Sequence, residues 1–236
     1  MPDMILWLKC GSDATKMSGD PYAHYHFFRM LLHASKNENF KFSVKTYNPN
    51  KLSKQFRETG LRRGPAITSG GENYAHEDEI YEFLDQFEPR DYSADHDEAE
   101  KETSDLFKKF AWYIKAANDD DRALNHELLR LDRFLRTKKK KFLVSDELSI
   151  IDTLLLPRIH SMRIAGEYLK GYAIPEGMHH VWNYLRNGYT DANFRTSCPS
   201  DQEIILHWAE KPETPNLDLR VKNRLATEEP RHSFFV

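Results

Sequence analysis

Apolar positions along the first 88 residues switch between two periods. In MILWLKC, Met4 to Cys10, apolar residues fill both alternating sets until Lys9, the pattern of a strand buried on both faces. From Pro21 the spacing becomes helical: Tyr25, Phe28, Leu31 and Leu32 recur every three or four residues along one face. FKFSVKT returns to period two, with Phe40, Phe42 and Val44 opposite Lys41, Ser43 and Lys45, which reads as a half-buried strand. Residues 51–59 read as a short polar helix. PAITS and ENYA flank Gly70-Gly71 as a hairpin. Residues 76–87 then predict a helix with Ile80, Phe83, Leu84 and Phe87 turned inward. The order β-α-β-α-β-β-α is that of a thioredoxin fold.

The stretch 88–100, EPRDYSADHDEAE, is acidic with few apolar anchors and reads as a linker, its boundaries set at 89–100. The domains on either side are residues 1–88 and 101–236, the second all-helical. Leu106, Phe110, Tyr113 and Ile114 form one helical stripe, and Leu124, Leu128, Leu131, Phe134 and Leu135 another. Lys138 to Lys141 reads as a solvated loop, with a contact to anionic lipid or protein as the sharper alternative. Ser149 followed by Asp152 ahead of an apolar run is a capping box, a folding device that starts the most apolar helix of the chain. Val181, Trp182 and Leu185 mark a further helix, and TSCPSDQEI opens another. From Glu210 the chain is polar and proline-containing and reads as an extended tail, with Phe234 and Phe235 as anchors.

Composition narrows the function. With 34 basic and 37 acidic residues among 236 the formal net charge is -3, which argues against a nucleic-acid binder. No apolar run approaches the roughly 18 residues of a membrane span, and the N-terminus has no secretory pattern. The two cysteines, Cys10 and Cys198, lie far apart, so a disulfide framework is not expected and a reducing cytoplasm is. The eleven histidines show no zinc spacing and read as scattered surface residues; Asp119 to Asp121 read as a loop or helix start rather than a cation site.

The chemistry concentrates in GDPYAHYHFF, residues 19–28. In redox proteins of this layout the residue before the proline is usually cysteine, and here it is Asp20. A helix N-terminus presents free amides and about half a positive charge, which turns such a cysteine into a thiolate. Asp20 followed by Pro21 is also a complete structural statement, a preferred N-cap ahead of a preferred first helical residue. The capping reading is the one adopted; a catalytic acid and a non-covalent binding role are the alternatives. A carboxylate forms no mixed disulfide, so no thiol catalysis is expected.

GSDATKMSGDPYAHYHFFRMLL, SIIDTLLLPRIHSMRIAGEYLKGYAIPEGMHHVWNYL and TSCPSDQEI together resemble the chloride intracellular channel family over roughly residues 3 to 210, as an invertebrate-type member with Asp for the active-site cysteine. Plant dehydroascorbate reductases are the nearest confusable group, and they depend on the cysteine absent here. The resemblance implies an α/β plus all-α, glutathione-transferase-like fold. It implies a cytoplasmic protein that also associates with membranes and contributes to anion channel activity. It further implies a degenerate glutathione-type site at Asp20, Pro21, Gly64, Pro65, His76 and Glu77, with Pro65 as the cis-proline of the fold. Glu77 and Asp78 beside Asp20 would repel an anionic tripeptide, so weak or absent glutathione binding is expected. No cofactor and no metal are expected. Conditional contact with membrane lipids, and cytoskeletal or other protein partners, are the associations considered, with a monomer in solution and an oligomer in the membrane. A scaffold without channel activity and a glutathione-dependent enzyme are the competing functions. The histidines predict stronger binding to anionic vesicles as pH falls from 7 to 5.5, through surface charging, and protonation of any buried neutral histidine would loosen the domain interface.

Overall fold

A computed structural model describes residues 4–87 and 93–235. The first part runs β1 (Met4–Lys9), α1 (Pro21–Lys36), β2 (Phe42–Tyr47), α2 (Lys54–Glu58), β3 (Ala66–Ser69), β4 (Glu72–Tyr74) and α3 (Glu77–Asp85), in the expected order. The sheet order is β2-β1-β3-β4, with β1 parallel to β2, and β3 antiparallel to both β1 and β4. The unbroken apolar character of β1 has a direct cause: both of its faces are covered. Leu6 and Leu8 pack with Met30, Ile67, Ile80 and Leu84, beneath α1 and α3. Trp7 points the other way, into a second cluster with Tyr47, Phe56 and Leu61. Phe56 of α2 closes this second face, edge-on to Trp7 at 5.2 Å and stacked on Tyr47 at 4.4 Å.

The remaining chain forms α4 (Ala94–Thr103), α5 (Leu106–Tyr113), α6 (Arg122–Lys138), α7 (Ile150–Lys170), α8 (His179–Thr190), α9 (Ala192–Ser197), α10 (Asp201–Ala209) and α11 (Leu219–Thr227). Two of these correct the expectation. α4 occupies most of the stretch read as a linker, whose residues 88–92 lie outside the described residues. Ser93 caps it by accepting from the His96 amide, and His96, Ala99 and Thr103 bury one narrow side. α11 interrupts the polar tail; Asp218 caps it and Leu225 is its buried contact. Beyond α11 the tail returns along α10. Gln202 donates to the Glu229 carbonyl at 2.8 Å, Asp201 N to the Arg231 carbonyl at 2.8 Å, and Ser233 Oγ to Asp201 at 2.6 Å. Only one of the two expected anchors holds: Phe234 packs against His160 and Tyr189, whereas Phe235 is 95% exposed.

The capping box at the start of α7 is present and larger than its local pattern. Asp152, fully buried, accepts from the Ser149 amide, as the pattern requires, and also from the Ser149 hydroxyl. Its other oxygen accepts from Leu143 N at 3.0 Å and the Tyr184 hydroxyl at 2.9 Å, tying the preceding loop and α8 to the same carboxylate.

The two halves are joined through α1, which packs on α7 and α9. Phe28 meets Phe194 edge-on at 5.2 Å. A second join lies at Glu203 of α10, whose carboxylate accepts from the amide and hydroxyl of Ser12. A Cβ at Gly19 would strike the Glu203 backbone carbonyl, so that position needs glycine for close approach, whereas one at Gly11 would meet only the movable end of the Glu203 side chain.

Several histidines are buried, contrary to the surface reading, and two of them, His24 and His160, meet at this interface. His24, His26, His33, His96 and His160 are buried. His24 Nε2 lies 3.0 Å from Ser197 Oγ, and His160 Nδ1 lies 3.0 Å from the Tyr189 hydroxyl. Neither ring nitrogen of His26 has a hydrogen-bond partner. Burial lowers His24 and His26 to about 3. It also pushes His160 well below its ordinary value, with His24, Arg163 and His232 adding repulsion.

Candidate functional site

Asp20 sits where the sequence pattern puts it, at the N-cap of α1. Its Oδ1 accepts from Tyr22 N at 3.0 Å, and Pro21 occupies the first turn. The carboxylate therefore neutralises the amides that would otherwise stabilise a thiolate. Around it lies a cavity of about 120 Å³, closed by residues from three other helices: Phe107 of α5, Leu154 and Arg158 of α7, His207 and Trp208 of α10. Pockets for drug-sized ligands span about 300–1,000 Å³, so this cavity suits an ion or a few waters rather than a tripeptide.

The electrostatics of the cavity come from residues that the sequence reading missed. Arg158 pairs with no carboxylate among the described residues and lies over the Phe107 ring at 5.1 Å; burial lowers its pKa. His207 Nε2 is 4.0 Å from Asp20 Oδ1. Burial lowers His207 to about 4 despite the attraction of Asp20, with Lys211 and Lys9 lowering it further, so it is neutral at pH 7. Lys211 lines the rim. Arg158 and Lys211 thus balance Asp20, and no group present is poised to activate it.

The other expected residues stand apart from this cavity. The Gly64-Pro65 bond is cis, as expected. Gly64 N donates to the Tyr47 hydroxyl at 2.8 Å, and a Cβ on Gly64 would lie 2.5 Å from the Trp7 carbonyl. Burial raises the Tyr47 phenol, with a smaller contribution from the charge of Asp20. His76 and Glu77 are exposed at the start of α3. The carboxylate that closes this helix start is Glu79, which accepts from the amides of Ala75 and His76 at 3.0 Å each. Glu77 instead accepts from the Tyr81 hydroxyl at 2.9 Å. Its charge, with those of Asp20 and Asp78, raises the pKa of the Tyr22 phenol beyond the effect of burial. In the triplet at 119–121, Asp119 pairs with Lys170 at 3.0 Å and Asp120 with Arg122 at 2.6 Å.

Neither cysteine offers a thiolate. Cys10 is buried at the end of β1 and burial raises its pKa. Cys198 Sγ lies 3.5 Å from His24 Nε2, which on distance alone looks like a thiolate–imidazolium pair. Burial moves both partners the wrong way: the thiol is pushed well up and the imidazole down to about 3. The pair is neutral. Cys198 also ends α9, while Ser200 caps α10, so no helix start supports its charge. Both thiols are expected to react slowly with a thiol reagent at pH 7 and at once in denaturant. Stoichiometric labelling of the folded protein within minutes would contradict this.

No family model matches the chain. A chloride intracellular channel, exl-1 of Caenorhabditis elegans, is 47% identical over 240 residues, covering 100% of both chains. The crystal structure of EXC-4 from the same organism, described as a homologue of these channels, superposes with a TM-score of 0.84 at 25% identity, over 100% of this chain and 94% of that one. Dehydroascorbate reductase of Chlamydomonas reinhardtii shares the fold at a TM-score of 0.70 and 17% identity, over 87% of this chain and 97% of that one. The fold is glutathione-transferase-like, with a thioredoxin-like part followed by a helical one. Full-length identity of this order means that the chain belongs to the chloride intracellular channel family.

Proposed function

We propose that this chain is a cytoplasmic, membrane-associating member of its family that contributes to anion conduction and performs no thiol–disulfide chemistry. The observation that carries the second half is the state of its thiols. Asp20 occupies the α1 cap, and both cysteines of the sequence are buried with raised pKa values. A thiolate is the nucleophile of disulfide exchange, and none is available. The first half is supported by the full-length relative named as a chloride channel.

No helix among the described residues is long and apolar enough to cross a membrane. We therefore place conduction in a rearranged, membrane-bound form. Buried His24 and His160, which meet where α1 packs on α9, supply a trigger for that rearrangement beside surface charging, because opening this interface would let both take up protons.

Two assays run on the same preparations test the reading. In a glutathione-coupled thiol assay the wild type should show no turnover above background, and Asp20→Cys should gain a fast-reacting thiol. In chloride efflux from anionic vesicles, both proteins should release chloride increasingly as pH falls from 7 to 5.5. Wild-type turnover matching Asp20→Cys would sink the redox half. Absence of both efflux and vesicle binding at every pH would sink the membrane half and leave a cytosolic scaffold.

A further inference from the structure

The run of four lysines divides into two parts with different surroundings. Lys138 is structural: it lies between Asp95 and Glu98 of α4, at 2.6 and 2.7 Å. The next three lysines do the opposite. Lys139, Lys140 and Lys141, with Arg136 one turn earlier on α6, pair with no carboxylate among the described residues. They line a cavity of about 480 Å³ between the end of α6, the loop that follows it and the outer face of α8. Other basic side chains of this acidic protein do find carboxylates, as Arg29 does with Asp85 and Arg130 with Glu102. Here four permanent cations share one wall, against a single lining carboxylate, Asp146, whose Oδ1 is already taken by the Lys141 amide. The sign of the local field is thus reversed relative to the net charge of -3.

The backbone supplies a second observation. Lys139 closes α6 in the left-handed region, φ 51° and ψ 38°. Glycine or asparagine is the usual residue there; a lysine costs of order 1 kcal/mol, a strain of the kind that clusters at functional sites. The left-handed turn lets the chain double back, so that Lys139, Lys140 and Lys141 border one cavity with Arg136 instead of continuing around a helix. Across the cavity α8 contributes His180, Asn183 and Asn187. Asn187 Nδ2 donates to the Lys141 carbonyl at 2.9 Å and fixes the loop against the helix. The cavity falls within the range of small-ligand sites.

We infer that this cavity binds a compact, multiply phosphorylated anion, with Arg136, Lys139, Lys140 and Lys141 holding its phosphates. One monovalent anion would not engage cations spread around a space of this size; several phosphates on one small frame do, by charge-assisted hydrogen bonds. The same chemistry is offered by a free polyphosphate and by a lipid headgroup, and the site is separate from the Asp20 cavity.

Titration calorimetry with inositol trisphosphate tests the free form. Co-sedimentation with phosphatidylcholine vesicles carrying either phosphatidylinositol bisphosphate or charge-matched phosphatidylserine tests the lipid. The wild type should bind the soluble probe saturably, one per chain, and more weakly as salt rises. Lys139→Asn and the double variant Lys140→Gln/Lys141→Gln should each weaken binding about tenfold or more, the value of a lost bond to a charged group. Lys54→Gln, exposed and distant in sequence, should change nothing. Asparagine tolerates the left-handed cap, so Lys139→Asn should melt no lower than the wild type, which separates a lost contact from a lost fold. Binding of the soluble probe without preference between vesicles supports a free ligand; stronger capture by the bisphosphate vesicles supports the lipid. No saturable binding together with equal capture by the two vesicle types, or binding untouched by the substitutions, overturns the site.

Discussion

Between pH 7 and pH 5 the folded state should lose several kcal/mol of stability, with His24, His26 and His160 as the cause. Each is fully buried with its pKa lowered, His24 and His26 to about 3. Unfolded, each titrates near 6.5. Below that pH the unfolded chain takes up protons that the folded chain refuses, so stability falls with falling pH down to the folded-state values. The slope is about 1.4 kcal/mol per pH unit for each histidine, or about 6 kcal/mol for the three at pH 5. Asp152 and Glu203, whose carboxyls burial pushes up, act in the opposite direction and offset part of this. Total stabilities of about 5–15 kcal/mol make the remainder large. Urea unfolding followed by circular dichroism at several pH values should show the midpoint moving steadily down. His26→Leu should flatten the slope most cleanly, since neither ring nitrogen has a partner to lose and its neighbours are the rings of Tyr22, Tyr25 and Tyr81. A midpoint unchanged between pH 7 and 5 would remove the buried-histidine trigger.

Asp152→Ala should cost about 3–5 kcal/mol. The substitution orphans the buried Leu143 amide, the Ser149 amide and the Tyr184 hydroxyl together, and each unmet buried donor costs about 1–3 kcal/mol, less than additively. Capping alone would predict about 1 kcal/mol. Asp152→Asn keeps one acceptor oxygen and should fall between the two. Chemical denaturation at pH 7 measures both variants, and hydrogen exchange at the Leu143 amide reports whether the loop is released. A loss near 1 kcal/mol for Asp152→Ala would reduce this residue to an ordinary cap.

Legibility followed the range of the interactions. The capping box was readable because its partners are three residues apart, and β1 because covering both faces of a strand leaves an unbroken apolar run. The share of Asp152 that reaches Leu143 and Tyr184 has no local signature. His24 and His26 misled for a related reason. Two residues apart on a helix, they point to nearly opposite faces, which ordinarily means that one is wet. α1 is covered on both: His24 meets Phe194 of α9, and His26 meets Tyr81 of α3. The Asp20 cap was readable from Asp-Pro itself, whereas Arg158 and His207 join it from α7 and α10 through tertiary packing alone. α4 and α11 bury too narrow a side for periodicity to reveal; Ser93 and Asp218, each a strong N-cap type, were the available signals.

The contact at Glu203 bears on how such chains recombine. A fold of two parts invites exchange of one part between relatives, and the crossover would fall naturally between α3 and α5. Gly19 from the first part and the Glu203 backbone from the second fit each other without room for a single added carbon. A chimera is therefore constrained far from its splice: a donor first part with alanine at the Gly19 position would be held off α10 and would draw α1 away from α7.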